Sequence, residues 1–148
     1  MSGSQEQELP ARLLIDTHVL LWLVEGCGSI GSRSRVSMDA SARQSRLYVS
    51  AITPWEIGLL VNKGRLKLGA EVMQWVRDAL ALPGVTLAPL EPEIAVASTR
   101  LPFEMHADPA DRILVATARH LGATLVTADE ALLTLAKHGN FVGMDAGV

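Results

Sequence analysis

Leu14-Ile15-Asp16-Thr17-His18-Val19-Leu20-Leu21-Trp22-Leu23 is the stretch on which the reading of the fold turns. The short apolar run over 12–16 reads as a buried strand, residues 17–24 read as a helix, and an acid stands where one becomes the other. The same alternation continues outward. Residues 32–46 read as a polar helix and 47–51 as a second strand. A helix over 53–63 ends near Gly64, and another over 70–82 carries Val72, Trp75, Val76 and Leu80 at helical spacing before Pro83-Gly84 breaks it. A strand over 85–90 and a helix over 91–100 follow. The clearest helix covers 109–121, with Gly122 in the terminating position. A strand over 124–127, a helix over 129–137 and a short strand at 141–142 complete the chain. Strands alternating with helices predict an α/β fold: one three-layer α/β/α sandwich around a parallel sheet of about five strands. In such sheets ligands bind at the carboxyl ends of the strands.

A length of 148 residues suits one domain, expected over 12–148 behind a loose polar tail over 1–11. That tail has no apolar core of the secretory-signal kind. Hydrophobic residues make up 49% and the mean hydropathy is +0.25, which excludes a disordered chain and points either to apolar surface for a partner or to a tight monomer core. The longest apolar run, 19–24, falls far short of the ~20 residues of a membrane span. Cys27 is alone, so no internal disulfide is possible and a reducing cytoplasm is the expected location. The net charge of −3 weighs against a nucleic-acid partner. If four carboxylates are neutralised on a metal, however, the remainder carries +1. Arg33, Arg35, Arg43 and Arg46, and then Lys63, Arg65 and Lys67, form basic clusters that either contact phosphates or serve as solvated faces.

Four acids fall at strand-to-helix junctions: Asp16, Glu56, Asp111 and Asp129. All are expected along one edge of the sheet. Like charges a few ångströms apart repel, and a divalent cation removes the conflict; an all-oxygen set suits Mg²⁺ or Mn²⁺. A competing reading is that each acid is a helix cap. Thr53-Pro54-Trp55-Glu56 reads as a capping box, and Asp108-Pro109-Ala110-Asp111 as nearly the same device. His18, His106, His120 and His138 lack a zinc-ligand spacing and read as structural or exposed, while Trp22 and Trp75 read as core and Trp55, beside Glu56, as core or as a wall of the site.

The motifs carry a family resemblance. The opening stretch from Leu14 to Leu23 resembles the start of a PIN domain, where a strand delivers an Asp followed by Thr or Ser. Val49-Ser50-Ala51-Ile52-Thr53-Pro54-Trp55-Glu56-Ile57 resembles the second PIN motif, and Val61-Asn62-Lys63-Gly64-Arg65-Leu66 continues it. His106-Ala107-Asp108-Pro109-Ala110-Asp111-Arg112-Ile113-Leu114-Val115-Ala116-Thr117-Ala118 resembles the third, and Leu125-Val126-Thr127-Ala128-Asp129 the fourth. Each motif alone is weak; four in order, from about Leu13 to Phe141, are specific. The branch resembled is the VapC-type toxins of bacterial toxin–antitoxin pairs. The resemblance implies a Mg²⁺- or Mn²⁺-dependent endoribonuclease. Asp16, Glu56, Asp111 and Asp129 are then the catalytic and metal-holding acids, Glu56 and Asp111 directly or through water. Thr17 and Thr127 would support them by hydrogen bonds, Asp108 acts as a cap or fifth acid, Arg112 either holds a phosphate of the RNA or pairs with a neighbouring acid, and Lys63 and Arg65 are candidate RNA contacts. It also implies homodimers and a VapB-like antitoxin, whose segment would lie in a groove beside Ile57, Leu59, Leu60 and Val61 and beside Val72, Trp75 and Val76.

Two alternatives remain at this stage. A receiver-type signalling domain is also a small parallel α/β unit with an acidic Mg²⁺ pocket, although it needs paired acids after the first strand and a late Lys where Thr127-Ala128 stands. A catalytically silent PIN scaffold that binds RNA or protein is the other. A haloacid-type phosphatase needs Asp-x-Asp, and Asp16-Thr17-His18 lacks it.

Overall fold

The computed structural model describes residues 9–148. Strand β1 (Leu13–Ile15) forms the centre of the molecule because all three of its side chains are apolar and none is left for solvent. It pairs in parallel with β2 (Leu47–Ser50) on one side and β4 (Thr124–Thr127) on the other. Strand β3 (Val85–Ala88) extends the sheet beyond β2, and β5 (Gly143–Asp145) extends it beyond β4. The order is β3-β2-β1-β4-β5, parallel throughout.

Alternation along β1 divides the interior into two cores. Leu13 and Ile15 face one, with Val49 and Val126, and meet helices α1 (Thr17–Glu25), α2 (Ser32–Arg43), α3 (Ile52–Asn62) and α4 (Val72–Leu80) through Val19, Met38, Ile57 and Trp75. Leu14 faces the other with Leu125. It meets α6 (Pro109–Leu121) through Leu114 and Val115, and α7 (Glu130–Lys137) through Leu132. Helix α5 (Pro92–Thr99) packs on α6. The three-layer sandwich with a five-stranded parallel sheet is therefore observed. Fully burying each large aliphatic side chain of β1 contributes about 1.5–3 kcal/mol. The receiver alternative fails on topology, since that class places its strands in the order 2-1-3-4-5.

Several boundaries shift by a residue or two, and three of the differences have a plain local cause. Helix α2 stops at Arg43, not 46, because Ser45 adopts a left-handed backbone (φ 56) and the N–H groups of Ser45 and Arg46 turn back to the carbonyls of Ala42 and Ser41. Strand β3 ends at Ala88, ahead of Pro89. The last strand lies at Gly143–Asp145, not 141–142: Phe141, whose β propensity points to a strand there, is buried in the second core. Most of the tail expected over 1–11 lies outside the described residues. Pro10 and Ala11 are held, their carbonyls accepting from Arg46 Nε at 2.8 Å and Ser41 Oγ at 2.7 Å. Among the described residues no helix is long and apolar enough to cross a membrane.

Candidate active site

Four of the five acids singled out in the sequence stand at the cap or in the first turn of a helix, although Asp111 follows α5 and not a strand as expected. Asp16 leaves β1 and N-caps α1, its Oδ1 accepting from the Val19 N–H at 2.9 Å. Asp129 follows β4 and N-caps α7, accepting from the Leu132 N–H at 3.0 Å. Asp108 N-caps α6 by accepting from the Asp111 N–H at 3.1 Å, which fixes the backbone that carries Asp111. Glu56, expected in a first turn, lies in the second turn of α3, which begins at Ile52 with no acid in its first turn. The capping box expected at Thr53 does not form. Helix α3 begins one residue earlier, so Thr53 already has a helical position, and Ser50 Oγ accepts from the Ile52 N–H instead, at 3.1 Å.

Two buried threonines tie these acids together. Thr127 donates its hydroxyl to Asp16 Oδ2 and accepts from the Asp129 N–H at 3.0 Å, so a single Oγ holds the acids of neighbouring strands β1 and β4. Thr17 Oγ1 donates to Glu56 Oε1 at 2.5 Å and lies 3.2 Å from Thr53 Oγ1. Asp16, Glu56, Asp108, Asp111 and Asp129 all line one cavity of about 390 Å³, walled on one side by His18 and Trp22 of α1.

The electrostatics record the crowding. Burial raises the Asp16 carboxyl above its ordinary range, and the charge of Asp129 adds to this; Thr127, the Val19 N–H and His18 oppose it. Burial likewise raises Asp111, to about 6, with repulsion from Asp108, Asp129 and Glu56 added and His106 opposing. His106 Nε2 lies 3.3 Å from Asp111 Oδ2, and its Nδ1 accepts from the Asp108 N–H at 3.3 Å. A cavity lined by five carboxylates calls for a cation, and an all-oxygen donor set matches the preference of Mg²⁺ or Mn²⁺. The donors fit such an ion by chemistry. Among the described residues, though, no three acidic, imidazole or thiol side chains already stand as a cage for one.

The other candidates fall differently. Arg112 meets neither an acid nor the cavity: its guanidinium donates to the carbonyls of Ser98 (2.8 Å), Met105 (3.3 Å) and His106 (3.4 Å), fastening the segment that precedes α6. Lys63 and Arg65 are exposed beyond α3, with Arg65 in a neighbouring cavity. Trp55, expected in the core or as a wall of the site, is 52% exposed, whereas Trp75 is buried and donates Nε1 to Glu25 at 3.1 Å. Sequence reasoning missed His18, Trp22 and His106 as site neighbours. The first two share one face of α1 at i, i+4 with the Asp16 cap just below, a spacing that was available to find them. His106 sits in a loop, where spacing predicts no direction.

Comparison with known proteins agrees with this geometry. A family model described as PIN domain matches residues 13–138. The chain is 32% identical over 123 residues to Ribonuclease VapC22 of Mycobacterium tuberculosis (strain ATCC 25618 / H37Rv), covering 81% of this chain and 88% of that protein. In fold it is similar to the structure of VapBC2 from Rickettsia felis bound to a DNA fragment from their promoter (TM-score 0.65, 14% identity, 89% of this chain and 96% of that one). It is also similar to FitAcB from Neisseria gonorrhoeae (TM-score 0.62, 21% identity, 90% and 97%). The order of motifs, the sheet that carries them and these likenesses agree: the chain belongs to the PIN domain family, on its VapC branch.

Proposed function

We propose that this chain is a Mg²⁺- or Mn²⁺-dependent endoribonuclease that hydrolyses RNA phosphodiester bonds, the toxin of a toxin–antitoxin pair. The observation that carries this is the gathering of Asp16, Glu56, Asp111 and Asp129, from four separate segments, into one cavity at the carboxyl edge of the sheet. Asp16 and Asp129 would hold the metal, with Asp111 and Glu56 holding it directly or through water. A metal bound there supplies a Lewis acid for a phosphate oxygen and lowers the pKa of a bound water. Glu56, held by Thr17, and Asp111, held through Asp108, stand ready to orient the attacking water and accept its proton. Thr127 keeps Asp16 and Asp129 in register as charge changes during turnover. Attack is in line, with a 3′-hydroxyl leaving.

The partners follow from the same reading: RNA as substrate, a VapB-like antitoxin as inhibitor and a second copy of this chain as dimer mate. Of the residues expected beside the antitoxin groove, Ile57, Trp75 and Val76 are buried in the core; exposed Trp55 on α3 and Met73 on α4 supply the apolar surface for protein contact. The test is cleavage of labelled RNA by wild type and Asp16→Asn with Mg²⁺, with Mn²⁺ and with EDTA. Cleavage by wild type alone, stopped by EDTA, supports the reading. Equal cleavage by both proteins removes these acids from the chemistry.

A further inference from the structure

The acidic cavity has a neighbour. Helix α1 presents His18, Leu21, Trp22 and Glu25 along one face, and His18 and Trp22 wall both cavities. The second cavity, of about 510 Å³, is closed on its far side by the loop after α3, which contributes Arg65 and Lys67. Its size lies within the ~300–1,000 Å³ of small-molecule sites. The two cavities have opposite character. The first is lined by five carboxylates. In the second the one acid, Glu25, already accepts from Trp75 Nε1, and among the described residues neither cation has an ion-pair partner. Gly28, at φ 83, packs against the Trp22 ring so closely that a Cβ there would stand 2.5 Å from the ring carbons, which holds the ring in place.

We propose that this second cavity receives the nucleotide flanking the scissile phosphate, with its base laid against Trp22 and its phosphate held by Arg65 and Lys67. The inference rests on the ribonuclease reading and deepens it by giving the strand a direction across the surface. A polyanion entering a carboxylate-lined cavity needs cations beside it, and these two lie directly across the shared His18–Trp22 wall. An indole face accepts any base, so the pocket sets the path of the strand more than its sequence.

Cys27, exposed on the rim of this cavity and the only cysteine in the chain, makes the test direct. A short fluorescein-labelled single-stranded RNA is bound to Asp16→Asn in Mg²⁺, so that it stays intact, and binding is followed by anisotropy. The alkylation rate of Cys27 by a maleimide is measured alongside. Saturating RNA is expected to slow alkylation about tenfold or more. Adding Arg65→Ala and Lys67→Ala is expected to weaken binding by about tenfold at low salt and to reduce the slope of log affinity against log salt by about 1.4, at ~0.7 per lost contact. Unchanged Cys27 reactivity while anisotropy reports bound RNA overturns the subsite and leaves the nuclease reading standing. No RNA binding at all overturns both.

Discussion

Replacing Thr127 by Val keeps the shape of a fully buried side chain and deletes one oxygen. That oxygen makes two bonds: it donates to the Asp16 carboxylate and accepts from the Asp129 N–H at 3.0 Å. A bond to a charged group contributes about 1.5–3 kcal/mol and a neutral one about 0.5–1.5 kcal/mol. Asp16 relieves part of the loss by taking up a proton more readily, since Thr127 is the strongest influence now lowering its pKa. The expected destabilisation of the metal-free protein at pH 7 is therefore about 2–4 kcal/mol. At ~2–4 °C per kcal/mol for a domain of this size, the midpoint falls by roughly 5–15 °C. Urea unfolding in EDTA, with the slope unchanged from wild type, measures it. Thr127→Ser, which keeps the oxygen and loses only a methyl, should recover most of the difference. If the Thr127→Val protein is as stable as wild type within about 0.5 kcal/mol, a difference usual for neutral surface changes, the hydroxyl does not clamp Asp16 to Asp129.

Asp111→Asn should stabilise the metal-free protein at pH 7. The folded-state pKa of Asp111, about 6, lies above the ordinary 3.8, so the folded state holds the proton more tightly and loses stability as pH rises from about 4 to about 6. Discounted for partial exposure, the gain is about 1–2 kcal/mol at pH 7, vanishing below about pH 4; a pH series of melting curves for both proteins checks the sign, and RNA cleavage should be lost. Thr17→Val frees Glu56 from its 2.5 Å bond and should reduce kcat more than it raises KM, read from steady-state cleavage of a fixed RNA. Gly84→Ala should cost about 2 kcal/mol or more, because Gly84 has φ 85 and a Cβ there would collide with the Ala42 carbonyl; thermal melting decides, and an unchanged midpoint refutes the packing argument.

The central strands were legible because β1, β2 and β4 are short runs of largely apolar residues buried in the sheet, and β1 could hardly be anything else, whereas β5 (Gly-Met-Asp) offered no such run. Boundaries were less so. Helix α2 ends where Ser45 turns left-handed, a conformation no local pattern announces at a Ser, and Phe141, two residues ahead of β5, packs in the second core with Leu132 of α7. Directions of long side chains were least legible. Arg112 sits beside an acid in the sequence yet reaches three carbonyls, because the chain before α6 folds back over it.

Cap and ligand are competing roles only if an acid has one use. Asp16, Asp108 and Asp129 are all caps, and all three line the acidic cavity. A carboxylate has two oxygens with about four lone-pair positions, and a cap occupies one. Asp129 gives Oδ1 to the Leu132 N–H and keeps Oδ2 free of any protein partner among the described residues. Capping is what makes such an acid usable as a ligand: it fixes the rotamer against a rigid helix start and sets the remaining lone pairs toward the edge of the sheet. Glu56 and Asp111 have no capping role: Thr17 donates to Glu56 and orients it, and Asp111 faces His106 Nε2 at 3.3 Å. An acid at a strand-to-helix junction is thus weak as a signal when alone, but several such junctions on one parallel sheet deliver their carboxylates to a common edge. The order of the strands then decides whether they share a cavity, and here β1 lies between β2 and β4 and brings them together.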